Sequence, residues 1–287
     1  MTTPVKKAAQ RKPRGRKGIS PWVPNQHGAW AMLISPAVLG LISGVVMLLR
    51  TDAPLSRLGV LLAVLVAWFF GYFAFFAFGL AARARNPRRR AKYLTPVYVY
   101  GAISLVGIGA ALALQPDLMW WAIPFTPLVA IAVWETIKGR SRSTVSGVST
   151  TVASALLYPA LTSVGSATGD AGVQGWAAMI FLAVYFSGTI PFVKSMIRER
   201  NNPRYLAGSI TYHVAAVLAV WVVAVALGVG WVAGILMVGT LLVALWRSMY
   251  IPMASQRGAT WTARRLGMAE IPVLLMACSA VLATLIT

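Results

Sequence analysis

Nine stretches of this chain run apolar for about twenty residues each, the length a helix needs to cross a hydrocarbon core of ~30 Å at ~1.5 Å per residue. They cover residues 29–49, 58–81, 96–114, 119–137, 145–164, 175–193, 208–227, 231–250 and 268–286. Backbone N–H and C=O groups find no water in lipid, so only helices and closed barrels span it. The runs are too long and too continuously apolar for barrel strands. The fold class is therefore all-α, a polytopic membrane protein of nine transmembrane helices in one bundle. Composition agrees. Of 287 residues, 58% are hydrophobic and 11% charged, where a soluble domain carries roughly 25% charge.

The charges sit between the runs. Net charge is +20, from 26 Lys and Arg against six acids. These bases alternate with apolar segments and do not cluster in a soluble module, so no nucleic-acid partner is expected. Numbering the connectors from the amino terminus, 24 of the 26 bases fall on one side. The tail carries seven, and Arg83, Arg85, Arg88, Arg89, Arg90 and Lys92 follow the second run. Lys138, Arg140 and Arg142 follow the fourth; Lys194, Arg198, Arg200 and Arg204 the sixth; Arg247, Arg257, Arg264 and Arg265 the eighth. Only Arg50 and Arg57 remain for the other side. The positive-inside rule then places the amino terminus in the cytoplasm and the carboxyl terminus outside.

Residues 1–26 have no apolar core and do not read as a cleavable signal peptide. Their Pro, Gly and like charges favour a disordered basic cytoplasmic tail, leaving 27–287 as the transmembrane domain. Such a tail is expected to adhere to anionic lipid headgroups, at about 1 kcal/mol per base. The one cysteine, Cys278, lies in an apolar run, so one chain holds no disulfide or thiolate metal site. Pro36, Pro124, Pro127 and Pro159 fall inside spans. Proline bends a helix and can shape a cavity, although membrane helices tolerate it anyway.

Ionisable residues within membrane helices are costly and by default functional. Glu135 lies near the end of the fourth span, with Lys138 three residues on and within pairing reach; a local ion pair and a ligand site both fit. His27, in "PNQHGAWAM", stands just before the first span, with Trp30 as an interfacial anchor. Tyr205, Ser209 and His213 recur every four residues and share a helical face if the seventh helix begins early enough. That stripe faces protein or water, or simply bonds helix to helix. In "VKSMIRERNNPRYL", Lys194 and Arg198 are spaced i, i+4, Asn201 and Asn202 follow, and Pro203 breaks the helix at Asn202. Arg198, Arg200 and Arg204 offer forked donors to phosphate oxygens, as any basic connector would. Trp261 in the eighth connector is expected to dip into the interface. Glu270 either favours the positive end of the last helix or lines a cavity.

"PNQHGAWAMLISP" together with "FVKSMIRERNNPRY" resembles the YwiC-like family of bacterial integral membrane proteins, whose biochemical role is not established. The resemblance implies a bacterial plasma membrane location. The wider plan is similar to the UbiA superfamily of intramembrane prenyltransferases, which have nine helices, a cytoplasmic amino terminus and active-site loops after the second and sixth spans. "AARARNPRRRAKYL" and "VKSMIRERNNPRYL" occupy those two places, and "KGRSRST" is similar to the Lys-Arg-x-Thr segment after the fourth span. Those enzymes carry aspartate-rich motifs in both loops, so that Mg²⁺ can hold a prenyl diphosphate, and a hard cation needs such carboxylates. Here the first loop has no acid and the second has Glu199 alone. An Asp-bound magnesium clamp cannot be built from them; no metal site and no cofactor are expected.

Guanidinium and ammonium groups could replace that clamp. Arg89, Arg90, Lys138, Lys194, Arg198 and Arg204 would hold an anionic head, with an isoprenoid tail between bent helices. The expected partners are thus anionic lipid headgroups and an isoprenoid phosphate or quinone-like ligand. The missing carboxylates favour a protein that binds an anionic isoprenoid or phospholipid-type ligand in a cytoplasm-facing cavity. The alternative is a divergent, metal-independent prenyltransferase-like enzyme with Glu199 or His213 as proton acceptor. Transport ranks behind both, because the ionisable residues gather toward one face and a transporter site lies near midplane.

Overall fold

The computed structural model describes residues 19–24, 27–200 and 202–286, and of His27 the backbone alone. Nine α-helices fill this range: α1 (His27–Arg50), α2 (Arg57–Ala82), α3 (Pro87–Leu114), α4 (Ala122–Ile137), α5 (Thr144–Gly165), α6 (Gly172–Ile197), α7 (Pro203–Ala226), α8 (Trp231–Gln256) and α9 (Ala263–Ala283). A 3₁₀ turn, Pro116–Trp121, leads into α4. No strand occurs among the described residues. All nine helical segments, α4 taken with its 3₁₀ turn, are long and apolar enough to cross a membrane. The nine-span, all-α expectation holds. Most of the basic tail, residues 1–18 with Asn25 and Gln26, lies outside the described residues.

Several helices begin well before the apolar runs do. α3 starts nine residues earlier, α7 and α9 five. The cause is capping. The Asn86 side chain accepts from the backbone N–H of Arg88 at 2.9 Å and Pro87 takes the first helical position. Asn202 repeats the device, accepting from Tyr205 N–H at 3.1 Å ahead of Pro203. Thr262 does so for α9, accepting from Arg265 N–H at 3.2 Å. Each cap satisfies an otherwise orphan donor, and a proline at the first position loses nothing. The helices therefore extend past the lipid-length stretch into charged sequence, where water serves the side chains.

Helix α5 is the central element, packing against α1, α2, α4 and α6. From Ala153 to Gly165 it is buried without interruption. Its surface is mostly small residues, which let backbones approach closely in a membrane. A Cβ at Gly165 would stand 1.8 Å from the Gly44 carbonyl oxygen, so only glycine fits this crossing with α1. Beside it, Thr162 and Ser43 share a buried hydroxyl bond of 2.8 Å. Farther along the same pair of helices, Pro36 leaves the Met32 carbonyl without its intrahelical donor, and the Ser154 hydroxyl of α5 donates to it. The main core cluster joins α5 to α6, α7, α8 and α9 through Tyr158, Phe181, Tyr185, Leu241 and Ala277. A second, smaller cluster joins α1, α2 and α5.

Contacts between connectors sort them into two ends. Arg83 after α2 shares a recess with residues 139–143 after α4. Lys194 near the end of α6 donates to Thr144 at 2.8 Å, and Arg200 donates to Ser255 of α8 at 3.0 Å. These four connectors make the basic end. At the other end Arg50 donates to the Leu285 carbonyl at 2.6 Å, and Arg57 donates to the Val164 and Ser166 carbonyls. Trp121 stacks on Trp176 there, ring centroids 5.7 Å apart. The two bases on that side are thus spent on carbonyl oxygens at helix ends.

Candidate functional site

A cavity of about 570 Å³ lies among α1, α2, α3, α4 and α5, with the 3₁₀ turn contributing Leu118, Met119 and Trp121. Its wall is almost wholly apolar, Trp68, Trp121, Tyr72, Phe75 and Phe125 being the largest side chains. Tyr72, Ser104, Thr150, Thr151 and Ser154 supply its few hydroxyls. The four serines and threonines are all engaged with carbonyl oxygens: Ser104 with Ala67 at 2.8 Å, Thr150 with Ser146 at 2.9 Å, Thr151 with Gly147 at 2.8 Å, and Ser154 with Met32. A chamber of this size and lining suits a hydrocarbon-rich small molecule. Met32 and Leu33, in the turn before Pro36, lie on its wall.

The basic recess lies toward the end of the same helices. Its lining is Arg83, Gly139, Arg140, Ser141, Arg142 and Ser143. From the last cavity residues on α2, α4 and α5 (Phe75, Ala132 and Thr150) to the recess is seven or eight residues, roughly 10–12 Å along a helix. Gly79 of α2 and the buried Thr136 of α4 pack between the two. Greasy chamber and cationic rim are therefore stacked along one set of helices.

The turn after α4 differs from expectation. Glu135 pairs with Arg140 at 2.6 Å, not with Lys138. Gly139 adopts φ 75°, and the Arg140 and Gly139 N–H groups bond back to the Glu135 and Thr136 carbonyls at 2.7 and 3.0 Å. This double bond pattern ends a helix by reversing the chain, and it folds Arg140 over Glu135. Lys138, at the helix cap, instead sits 4.8 Å over the Trp134 ring. Glu135 is buried, so the pair neutralises the one carboxylate beside the recess.

The other sequence candidates scatter along the basic end. Arg89 and Arg90 occupy the exposed first turn of α3 and line neither the cavity nor the recess. Arg198 caps α6 and Arg204 starts α7; both are exposed and outside both linings. Glu199 accepts from the Asn202 side chain at 3.0 Å and so closes the α6–α7 turn. Tyr205 is half-buried in the first turn of α7. Lys194 donates to Thr144, the chain neighbour of Ser143 in the recess lining. Asn201 and the His27 side chain lie outside the described residues.

Helix α7 does begin early enough for the Tyr205, Ser209, His213 stripe. Ser209 and His213 are buried, and His213 Nδ1 is 2.8 Å from the Ser209 carbonyl. A carbonyl only accepts, so Nδ1 carries the proton. Nε2 then faces Gly188 of α6, where a Cβ would stand 3.2 Å away.

Arg247, a connector base by its place in the sequence, lies inside the bundle instead. It is 3% exposed, nine residues inside the end of α8, and pairs with Glu270 of α9. Tyr185 of α6 donates its hydroxyl to the other Glu270 oxygen at 2.7 Å. The Phe192 ring covers the guanidinium at 4.4 Å. The available signal was an arginine still flanked by Trp246 and Met249 within an apolar stretch. Trp261 packs against Phe192, Met196, Ile251 and Leu266. Among the described residues no group of three His, Cys, Asp or Glu side chains could hold a metal ion.

Nine helices among the described residues, each long and apolar enough to cross a membrane, give the class: a multi-pass membrane protein. Residues 23–162, which carry α1 to α4 and most of α5, match the family model described as YwiC-like protein. A Bacillus subtilis protein described as "Uncharacterized protein YwiC" is 28% identical over 193 residues, 67% of this chain and 73% of its own. A Haemophilus influenzae protein is 25% identical over 201 residues, 68% of this chain and 76% of its own. No solved structure matches the chain.

Proposed function

We propose that this protein binds an anionic amphipathic lipid, of isoprenoid phosphate or phospholipid type, with its chain in the α1–α5 cavity and its head at the basic recess. The observation that carries this reading is the stacking of an apolar chamber of about 570 Å³ and an arginine-rich rim on the same helices α2, α4 and α5. Hydrocarbon burial supplies affinity without specificity. Arg83, Arg140 and Arg142 supply the preference for an anion, because guanidinium matches phosphate oxygens in a forked geometry. Lys194 adds charge at the rim. The basic end faces the cytoplasm of a bacterial plasma membrane on the positive-inside argument, so the head would lie in the inner leaflet.

The test is native mass spectrometry of protein purified in mild neutral detergent. Wild type is expected to retain an anionic lipid. Ala132→Phe, which fills the chamber, is expected to lose most of it, and Arg83→Gln with Arg142→Gln to shift retention toward neutral lipids. The same retained lipids in all three proteins would defeat the reading.

A further inference from the structure

Helices α3 and α4 both wall the chamber, and different partners hold them. α3 packs on α2 and on the 3₁₀ turn; α4 packs on α5, on α2 and on the same turn. The α2–α3 seam is tight. A Cβ at Gly107 would stand 2.9 Å from the Ala63 carbonyl oxygen and 3.0 Å from the Ala67 nitrogen, and the Ser104 hydroxyl donates to the Ala67 carbonyl at 2.8 Å. Small residues on both helices permit that approach. No packed face joins α3 to α4 among the described residues, and the 3₁₀ turn ties them at one end only. A cleft is left between them.

Side chains along this cleft belong at once to the chamber and to the outer surface. Ile108 of α3 and Val129 of α4 line the chamber, yet they are 44% and 50% exposed. Both fall within the apolar spans, so what faces the opening in a membrane is hydrocarbon. The direction of the basic recess is less open. There Gly79 of α2 and Thr136 of α4 are both buried, and a Cβ on the glycine would meet the threonine methyl at 3.5 Å.

Charge decides what the cleft admits. An anionic lipid head is drawn to Arg83, Arg85 and the bases of the first turns of α3, which lie at the basic end of the helices flanking the chamber. A second copy in the same membrane would bring its own set of these bases to the same side, like charge against like.

We infer that the chamber is loaded sideways, from the bilayer through the α3–α4 cleft, so that its ligand is a lipid already dissolved in the membrane and not a solute arriving from water. This rests on the lipid reading above and adds the route to it.

The test is the rate at which bound lipid is replaced. The full chain is placed in nanodiscs whose phosphatidylglycerol and polyprenyl phosphate both carry deuterated chains, and native mass spectrometry weighs the bound lipid at successive times. Ile108→Trp with Val129→Trp narrows the cleft and should slow replacement about tenfold, with the amount of lipid held unchanged. Ile108→Ala with Val129→Ala widens it and should speed replacement; should the tryptophan pair not fold, the alanine pair decides. Leu218→Trp, on α7 and 57% exposed, should exchange as wild type does. Equal rates in wild type and the cleft variants would overturn the route and leave lipid binding standing. Tryptophans that lower the amount held without slowing replacement would mark a filled chamber, not a narrowed entrance, and would overturn it as well. So would a wild-type dimer that the tryptophans separate, which makes the cleft an interface between copies. A wild type that holds no lipid removes the route together with the reading beneath it.

Discussion

Ser154 of α5 donates its hydroxyl to the carbonyl oxygen of Met32 on α1, the carbonyl that Pro36 deprives of a helical donor. Both residues line the cavity. The proline in α1 and the hydroxyl that satisfies the carbonyl it frees are therefore one device. Ser154→Ala should destabilise by about 1–3 kcal/mol, the cost of leaving a buried carbonyl unpaired. Pro36→Ala gives Met32 its helical partner back, so the double variant should lose less than Ser154→Ala alone. Denaturation in mixed micelles of the two single variants and the double variant measures this, and strictly additive losses would count against it.

The contact of Gly165 with Gly44 allows no side chain on either helix. Gly165→Ala drives a methyl into backbone, which cannot rotate away, so the loss should exceed the ~1–3 kcal/mol of ordinary overpacking. Gly139→Ala should cost less, because its positive φ is strained but nothing lies within 4 Å of its Cβ position. Fluorescence-detected size exclusion after graded heating ranks the two, with Gly165→Ala falling first.

The two ion pairs should respond very differently to loss of one partner. Arg140 is 62% exposed at the side chain, and Gln keeps an amide donor for the 9% exposed Glu135, so Arg140→Gln should change stability by no more than about 1 kcal/mol. Arg247→Met leaves Glu270 unpaired in a largely buried site and should cost about 3–5 kcal/mol. Adding Glu270→Met to it should recover much of that loss. Thermal unfolding of the three variants decides, and equal effects of Arg140→Gln and Arg247→Met would be inconsistent with the burial described.

Sidedness can be read with cysteine labelling in a Cys278→Ser background. Ala167→Cys, in the connector after α5, should react with a membrane-impermeant maleimide in intact cells. Ala259→Cys, in the connector after α8, should react only after lysis. The opposite pattern would invert the bundle.

Much of this architecture was legible in the residue order, and the illegible part has a common cause. Apolar runs reported the nine helices because lipid imposes length and hydrophobicity on each helix separately. Alternating basic connectors reported the two ends. The helix starts at Pro87 and Pro203 lay in view as Asn-Pro pairs, but hydropathy ends where charge begins, and α3 and α7 continue through it. Arg247 was taken for a connector base because it stands at the edge of an apolar run; its partner Glu270 is on another helix. The premise that ionisable groups avoid the interior of spans fails with this pair. The cavity was invisible for a different reason. Ala67, Trp68 and Ala132 look like lipid-facing residues, and only packing around α5 turns them toward a shared space. Equally, nothing in the basic segments told Arg142, which lines the recess, from Arg90, which does not.

The most direct test of lipid binding places a small aliphatic diazirine amino acid, which unlike phenylalanine does not fill the chamber, at Ala132, which is buried on the cavity wall, and in a second protein at Ile131, which is 39% exposed on the outer face of α4. After irradiation in native membranes, the lipid captured at residue 132 should be dominated by one anionic class, while residue 131 captures the bulk mixture. Identical lipid mixtures at the two positions, or no capture at residue 132, would contradict the account.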